Sequence, residues 1–278
     1  MIPGVRLDRN CPATYRIRVE GNVISFSILF SSMVWTWIAV RKMRNKPVVQ
    51  PAGVQDTVCL PAYGIAVGWV LLSLAMQFLP GLTGEEPKPK GTVSLSGIQQ
   101  SVILSGCLAF VLAVVYSIGN DKKPENGLPA LRAVSLGIVA FVASLGPVFL
   151  VMFAIQHALG PNSASHALLE FMKKNKTPEA AMWVGASAVV TAPLLEELLY
   201  RVILQGHLRK LIHRDKAVVV VAVIFCVAHG WPNMLGLFPL AIALGVLYDR
   251  TNSYLAVVTA HAAFNMTMLL LTVLLQTS

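Results

Sequence analysis

Apolar residues fall in long blocks along this chain, at 23–40, 61–80, 98–118, 133–158, 180–200, 217–231, 235–248 and 254–275. A membrane-spanning helix needs about 20 mostly apolar residues, and most of the blocks approach or reach that length. Polar, turn-rich links separate them. Gly81–Gly97 carries Glu85, Glu86, Lys88, Lys90 and two prolines, Gly119–Pro129 reads GNDKKPENGLP, and Gly160–Pro178 carries Lys173, Lys174 and Lys176. No internal repeat, low-complexity tract or heptad seam is visible. The pattern predicts an all-α fold, a polytopic membrane helix bundle of about eight transmembrane helices. It divides the chain into a polar N-terminal tail (1–22), a first membrane region without an assignable motif (23–178) and a C-terminal core (179–275).

The fifth block runs past Arg201. Val202, Ile203, Leu204, Leu208, Leu211 and Ile212 continue an apolar pattern at helical spacing, so this helix is expected to reach about His213 and turn at Arg214-Asp215. Glu196 lies 17 residues before His213, and His229 lies 13 residues after Lys216. At 1.5 Å per residue both sit about 20–25 Å from the turn. A plain hairpin therefore brings Glu196 level with His229.

Composition agrees with the block pattern. The chain has 278 residues, 55% hydrophobic and 13% charged, where a soluble domain carries about 25% charged residues. The net charge of +9 would suggest nucleic acid in a soluble protein. Here the basic residues cluster in short links, so topology control explains them and no nucleic-acid partner is expected. With eight alternating spans, 13 Lys and Arg fall on one side and 5 on the other, plus four arginines in the N-terminal tail. The richer side is expected to be cytoplasmic, with both termini outside. The first block ends at Arg41-Lys42-Met43-Arg44 without a small-residue cleavage site, which reads as a span and not as a removable signal. Compactness and short loops give the chain a prokaryotic look, which places it in a bacterial plasma membrane. Cys11, Cys59, Cys107 and Cys226 are scattered without CxxC spacing and read as unpaired thiols.

The chemistry is concentrated where charge is most costly. Glu196 and Glu197 stand inside an apolar helix, and a carboxylate there costs about 2.5 kcal/mol or more. Glu197 and Arg201 are an i,i+4 pair on one helix face, as are Phe225 and His229 in the sixth block and His261 and Asn265 in the eighth. In lipid these groups have few partners except one another, so a buried polar cluster is expected. A desolvated glutamate can serve as a general base. Histidines beside it can ligate a metal, donate to an oxyanion or shuttle protons. An asparagine offers a neutral donor. Together they suit attack of water on a carbonyl.

Other intramembrane hydrolase chemistries lack their parts. No His is followed by Glu, so the HExxH helix is missing; no GxSG-like serine elbow occurs; and none of Asp8, Asp56, Asp121, Asp215 and Asp249 is centred in a block.

The three-part pattern Glu196-Glu197-x-x-x-Arg201, Phe225-x-x-x-His229 and His261-x-x-x-Asn265 resembles the signature of the CPBP family. These are the CAAX prenyl endopeptidase type II, abortive-infection and bacteriocin-processing intramembrane proteases. The resemblance covers about residues 180–270. It implies proteolysis within the membrane, with Glu196 activating water and with His229, His261 and Asn265 orienting that water or holding the oxyanion. Glu197, Arg201 and Phe225 would support them. Many members follow the Arg with Gly where this chain has Val202.

Alternatives accompany each assignment. Glu196 and Glu197 could form a structural ion-pair network with Arg201, with Glu197 the better candidate for an orienting pair. The histidines could be satisfied buried groups, Phe225 a packing residue and Asn265 a helix–helix contact. Tyr200, at i,i+4 from Glu196, could hydrogen-bond it or pack. His157, His166, His207 and His213 read as surface residues, and Trp35, Trp37, Trp183 and Trp231 as interfacial belts. Glu196, His229 and His261 could make a zinc site with an open position, or the glutamate could act without a cofactor. The expected partners are the lipid bilayer and a membrane-associated, prenylated or peptide substrate. A proton-coupled transporter and a non-catalytic scaffold or immunity protein that retains the motif are the competing classes. A transporter predicts polar residues spread along a path at different depths.

Overall fold

A computed structural model describes residues 13–43, 59–83, 93–119, 128–159, 167–231 and 233–277. They form nine helices: α1 (Ala13–Met43), α2 (Leu60–Thr83), α3 (Leu95–Gly119), α4 (Ala130–Leu159), α5 (Ala167–Lys174), α6 (residues 178–211), α7 (Arg214–Ala228), α8 (Asn233–Thr251) and α9 (Tyr254–Thr277). No strand occurs among the described residues. The all-α expectation is borne out.

Four of these helices contain stretches long and apolar enough to cross a membrane: Leu95–Gly119, Ala130–Leu159, Met234–Thr251 and Tyr254–Leu274. Val23–Ala39 and Leu60–Ala75 are shorter apolar stretches. On α3 the side chains of Ile103, Leu104, Phe110 and Ile118 lie outside the bundle. An apolar belt of this kind needs lipid around it, and the protein is an integral membrane protein.

The helix boundaries depart from the blocks in informative places. α1 starts at Ala13, inside the stretch expected to be a polar tail; residues 1–12, with Cys11, lie outside the described residues, as do Lys88, Lys90, Lys122, Lys123 and His166. The link at 160–178 contains α5, an eight-residue amphipathic helix. Its Phe171 and Met172 join Ile98, Ala180, Val184 and Leu269 in a small apolar cluster. α6 continues to Leu211 and α7 begins at Arg214, so the expected hairpin is present.

α4 is the central strut, in contact with α1, α8 and α9. Small residues let these helices approach. A Cβ on Gly137 would stand 2.5 Å from the Ala256 carbonyl oxygen of α9, and one on Gly146 would stand 2.8 Å from Ser31 Cβ of α1. Ser31 Oγ donates to Ala143 O at 2.7 Å, and Trp35 Nε1 donates to the same oxygen at 3.1 Å. Trp35 is therefore tied to α4, and Trp183 packs against the small apolar cluster. Pro147 in α4 and Pro239 in α8 are held within helices whose neighbours supply the packing.

α6 positions the site, and its local structure follows from its sequence. Thr177 caps it, its side-chain oxygen accepting from Ala180 N at 3.1 Å, and Pro178 occupies the first turn, where its missing N–H costs nothing. The helix then widens to π geometry twice, at Ala186–Thr191 and Glu197–Gln205. The first widening directly precedes Pro193, which cannot donate to the preceding turn. The second carries Glu197 and Arg201, and all nine of its residues are buried.

Candidate active site

Glu196 and Glu197 leave α6 in different directions. Glu197 is fully buried, with Oε2 accepting from Arg201 Nε at 3.2 Å and Oε1 2.7 Å from His261 Nδ1 of α9. Glu196 faces a cavity of about 480 Å³. Its Oε2 lies 3.7 Å from His229 Nε2 and 3.8 Å from His261 Nε2. The hairpin of α6 and α7 thus brings Glu196 and His229 together, and α9 adds His261.

The partners of the two imidazoles fix their orientation. His229 Nδ1 lies 2.7 Å from Phe225 O, a carbonyl that can only accept, so Nδ1 carries the proton and Nε2 is left facing Glu196. His261 Nδ1 likewise donates to the Glu197 carboxylate and turns its Nε2 toward Glu196. His229 is not within the body of α7, as its pairing with Phe225 had implied. The helix ends at Ala228, His229 caps it at φ −91°, and Gly230 follows at φ 72°. Left-handed backbone of this kind is what glycine supplies at helix ends, and here it releases His229 from the helix.

Phe225 holds the cluster from below. It has no exposed surface, and its ring lies 4.3 Å from that of His229, 5.9 Å from that of His261 and 5.2 Å from that of Tyr200. The Arg201 guanidinium stands 5.1 Å from the same ring. Tyr200 is buried against it, which is the packing alternative of the sequence reading. Val202 is also buried. Asn265 Nδ2 donates to Ala188 O at 2.7 Å, a carbonyl in the first widened turn of α6. One hydrogen of that amide is committed to a helix–helix contact; the second remains, and Asn265 lines the cavity.

The donor set Glu196, His229 and His261 has the right chemistry for zinc, but its spacing is open. Ligands at 2.0–2.1 Å around a tetrahedral ion lie about 3.3 Å apart, against the 3.7 and 3.8 Å from Glu196 Oε2. Among the described residues no group of three His, Cys, Asp or Glu side chains has metal-binding geometry. The same spacing suits one water, about 2.8 Å from each polar atom.

No motif marks the first 178 residues, yet α2 to α5 complete the cavity. Trp69 and Ser73 come from α2, Ser101 and Ser105 from α3, Ile155 from α4 and Leu168 from α5. Single serines in apolar blocks carry no spacing signal, so only the packing reveals them. His207 was expected at the surface and is partly buried, its ring tilted against that of Tyr63 with centroids 4.1 Å apart and its Nδ1 covered. His157 and His213 are exposed as expected, and Cys59, Cys107 and Cys226 are free thiols.

Residues 178–267 match the family model described as "Type II CAAX prenyl endopeptidase Rce1-like". The match contains every member of the Glu, Arg, Phe, His, His and Asn pattern, so the CPBP resemblance is borne out over this segment. A curated relative, "Putative membrane peptidase YdiL" of Bacillus subtilis (strain 168), is 23% identical over 203 residues, covering 70% of this chain and 80% of the relative. No solved structure gives a significant match.

Proposed function

We propose that this chain is an intramembrane endopeptidase that hydrolyses a peptide bond of a membrane-associated protein or peptide with water activated by Glu196. The observation that carries the reading is the convergence of Glu196 Oε2 and two imidazole Nε2 atoms on one cavity, at 3.7 and 3.8 Å. The names of the matched family and of the Bacillus relative support a membrane peptidase, and the relative's source supports a bacterial plasma membrane. A transporter would spread its polar groups along a path; here Glu196, His229 and His261 meet at one cavity.

The chain's own residues suffice to write the reaction. A water between Glu196 and His229 gives one hydrogen bond to the carboxylate and one to the unprotonated Nε2 of His229, which leaves an oxygen lone pair for the substrate carbonyl carbon. Glu196 takes the proton as the C–O bond forms and passes it to the leaving amine nitrogen as the C–N bond breaks. The second hydrogen of the Asn265 amide, with His261 Nε2 when protonated, donates to the oxyanion. Glu197 and Arg201 act through His261 as positioning residues. Activity before and after chelation, with metal analysis of the purified protein, measures whether a metal takes part.

The test uses the purified protein in lipid vesicles with a panel of membrane-anchored fluorogenic peptides. Glu196→Gln and His229→Ala are expected to lower cleavage by about 10²–10⁴-fold. Undiminished cleavage by Glu196→Gln would sink the assignment.

A further inference from the structure

A second polar recess lies at the end of the bundle where α2 begins and α3, α6 and α8 finish, some 11 residues beyond Glu196 on α6. At 1.5 Å per residue that is about 16 Å from the catalytic candidate. Its wall includes Tyr63, Gly206, His207, Arg209, Lys210 and Tyr248. Its volume of about 20 Å³ exceeds the roughly 10–15 Å³ that admits one water. The recess grades from a buried Arg209, 6% exposed, to a half-exposed Lys210.

The donors around it are not all used. The Arg209 guanidinium lies 5.2 Å from the Tyr248 ring and gives Nη2 to Asn252 Oδ1 at 2.5 Å, while Nε and Nη1 are buried without a hydrogen bond. His207 Nδ1 is also buried without a hydrogen bond, and it donates in the tautomer that protonates it. Asp249 Oδ1 stands 3.8 Å from Arg209 Nη1 and 3.8 Å from Arg214 Nε, so one carboxylate is shared by two guanidinium groups, and that oxygen too is buried without a hydrogen bond. No carboxylate is among the described residues of the wall. Buried donors without acceptors call for a water or an ion. Asp249 offsets one of the charges of Arg209 and Arg214, and the positive charge left over, with Lys210 in the wall, favours an anion over water alone.

We propose that this recess is a phosphate-oxyanion site that takes one oxygen of the headgroup phosphate of an anionic phospholipid. The source follows from charge: the recess lies at the end of the bundle that carries Arg209, Lys210, Arg214 and Lys216, and basic pockets between membrane helices are suited to anionic headgroups. Arg209 and His207 supply the donors, and Lys210 stands at the rim.

The experiment is thermal unfolding of the full chain in neutral detergent, titrated separately with phosphatidylglycerol, phosphatidylcholine and inorganic phosphate. Phosphatidylglycerol should raise the midpoint by several degrees with saturation, and phosphatidylcholine should not. Arg209→Gln should weaken the apparent affinity at least tenfold. Gly206→Ala is the second variant: its new Cβ would meet Arg201 O at 3.7 Å and the Tyr248 hydroxyl at 3.8 Å, ordinary contacts that keep the fold while narrowing the recess. It too should lose the shift. An equal shift with inorganic phosphate, lost in both variants, would keep the oxyanion site and overturn the lipid as its source. No shift with either phosphate source, or one unchanged in both variants, would overturn the site.

Discussion

Adjacent on one helix, Glu196 and Glu197 end with different neighbours, and their substitutions should separate accordingly. Glu197 has no exposed surface and bridges Arg201 and His261. Glu197→Gln would leave Arg201 buried without its counter-charge; both Nη atoms of that guanidinium already lack hydrogen bonds. Removing one partner of a buried pair costs about 3–5 kcal/mol, so Glu197→Gln should unfold markedly earlier in a denaturant titration. Glu196 is about a quarter exposed to the cavity, and Glu196→Gln, which removes a charge that is costly in lipid, should be no less stable than wild type. Equal destabilisation by the two would contradict their division of labour. The pairing of Glu197 with Arg201 was legible from i,i+4 spacing, and the meeting of Glu196 with His229 from the length of the hairpin. The bond from Glu197 to His261 was not, because spacing along one helix says nothing about the rotation of another.

At the scale of elements, the sequence showed where helices lie and hid how they depart from ideal geometry. The widened turns of α6 leave no signal of their own in the residue pattern, because one inserted residue in a buried helix shifts the face without changing composition, although Pro193 marks the place of the first. The end of α7 at Ala228 is written in Gly230, whose φ of 72° stops the helix just where His229 must leave it. Packing between elements can be tested at Gly137. A methyl there would meet the Ala256 carbonyl at 2.5 Å, a backbone atom that cannot rotate away. Gly137→Ala should therefore separate α4 from α9 and cost roughly 1–3 kcal/mol. Gly68→Ala, with nothing within 4 Å of the new Cβ, should be neutral or slightly stabilising. Thermal unfolding of the two variants side by side checks the contrast.

For the whole molecule, the bundle matters as the wall of a cavity. The matched segment 178–267 holds the reactive groups, while α2 and α3 place Trp69, Ser73, Ser101 and Ser105 across from them. Ser105→Trp should fill part of the 480 Å³ and lower kcat/KM while leaving the unfolding midpoint near that of wild type. Unchanged kinetics would mean that peptide approaches by another route. The blocks made a membrane bundle legible, but not this enclosure, because the cavity is made by helices far apart in sequence. The most direct measurement of the central claim is mass spectrometry of new protein termini in membranes from cells carrying wild type or Glu196→Gln, with reaction in ¹⁸O-water. The wild type should generate new C-termini bearing ¹⁸O that are absent with Glu196→Gln. The same labelled termini at the same abundance in both would contradict water activation by Glu196.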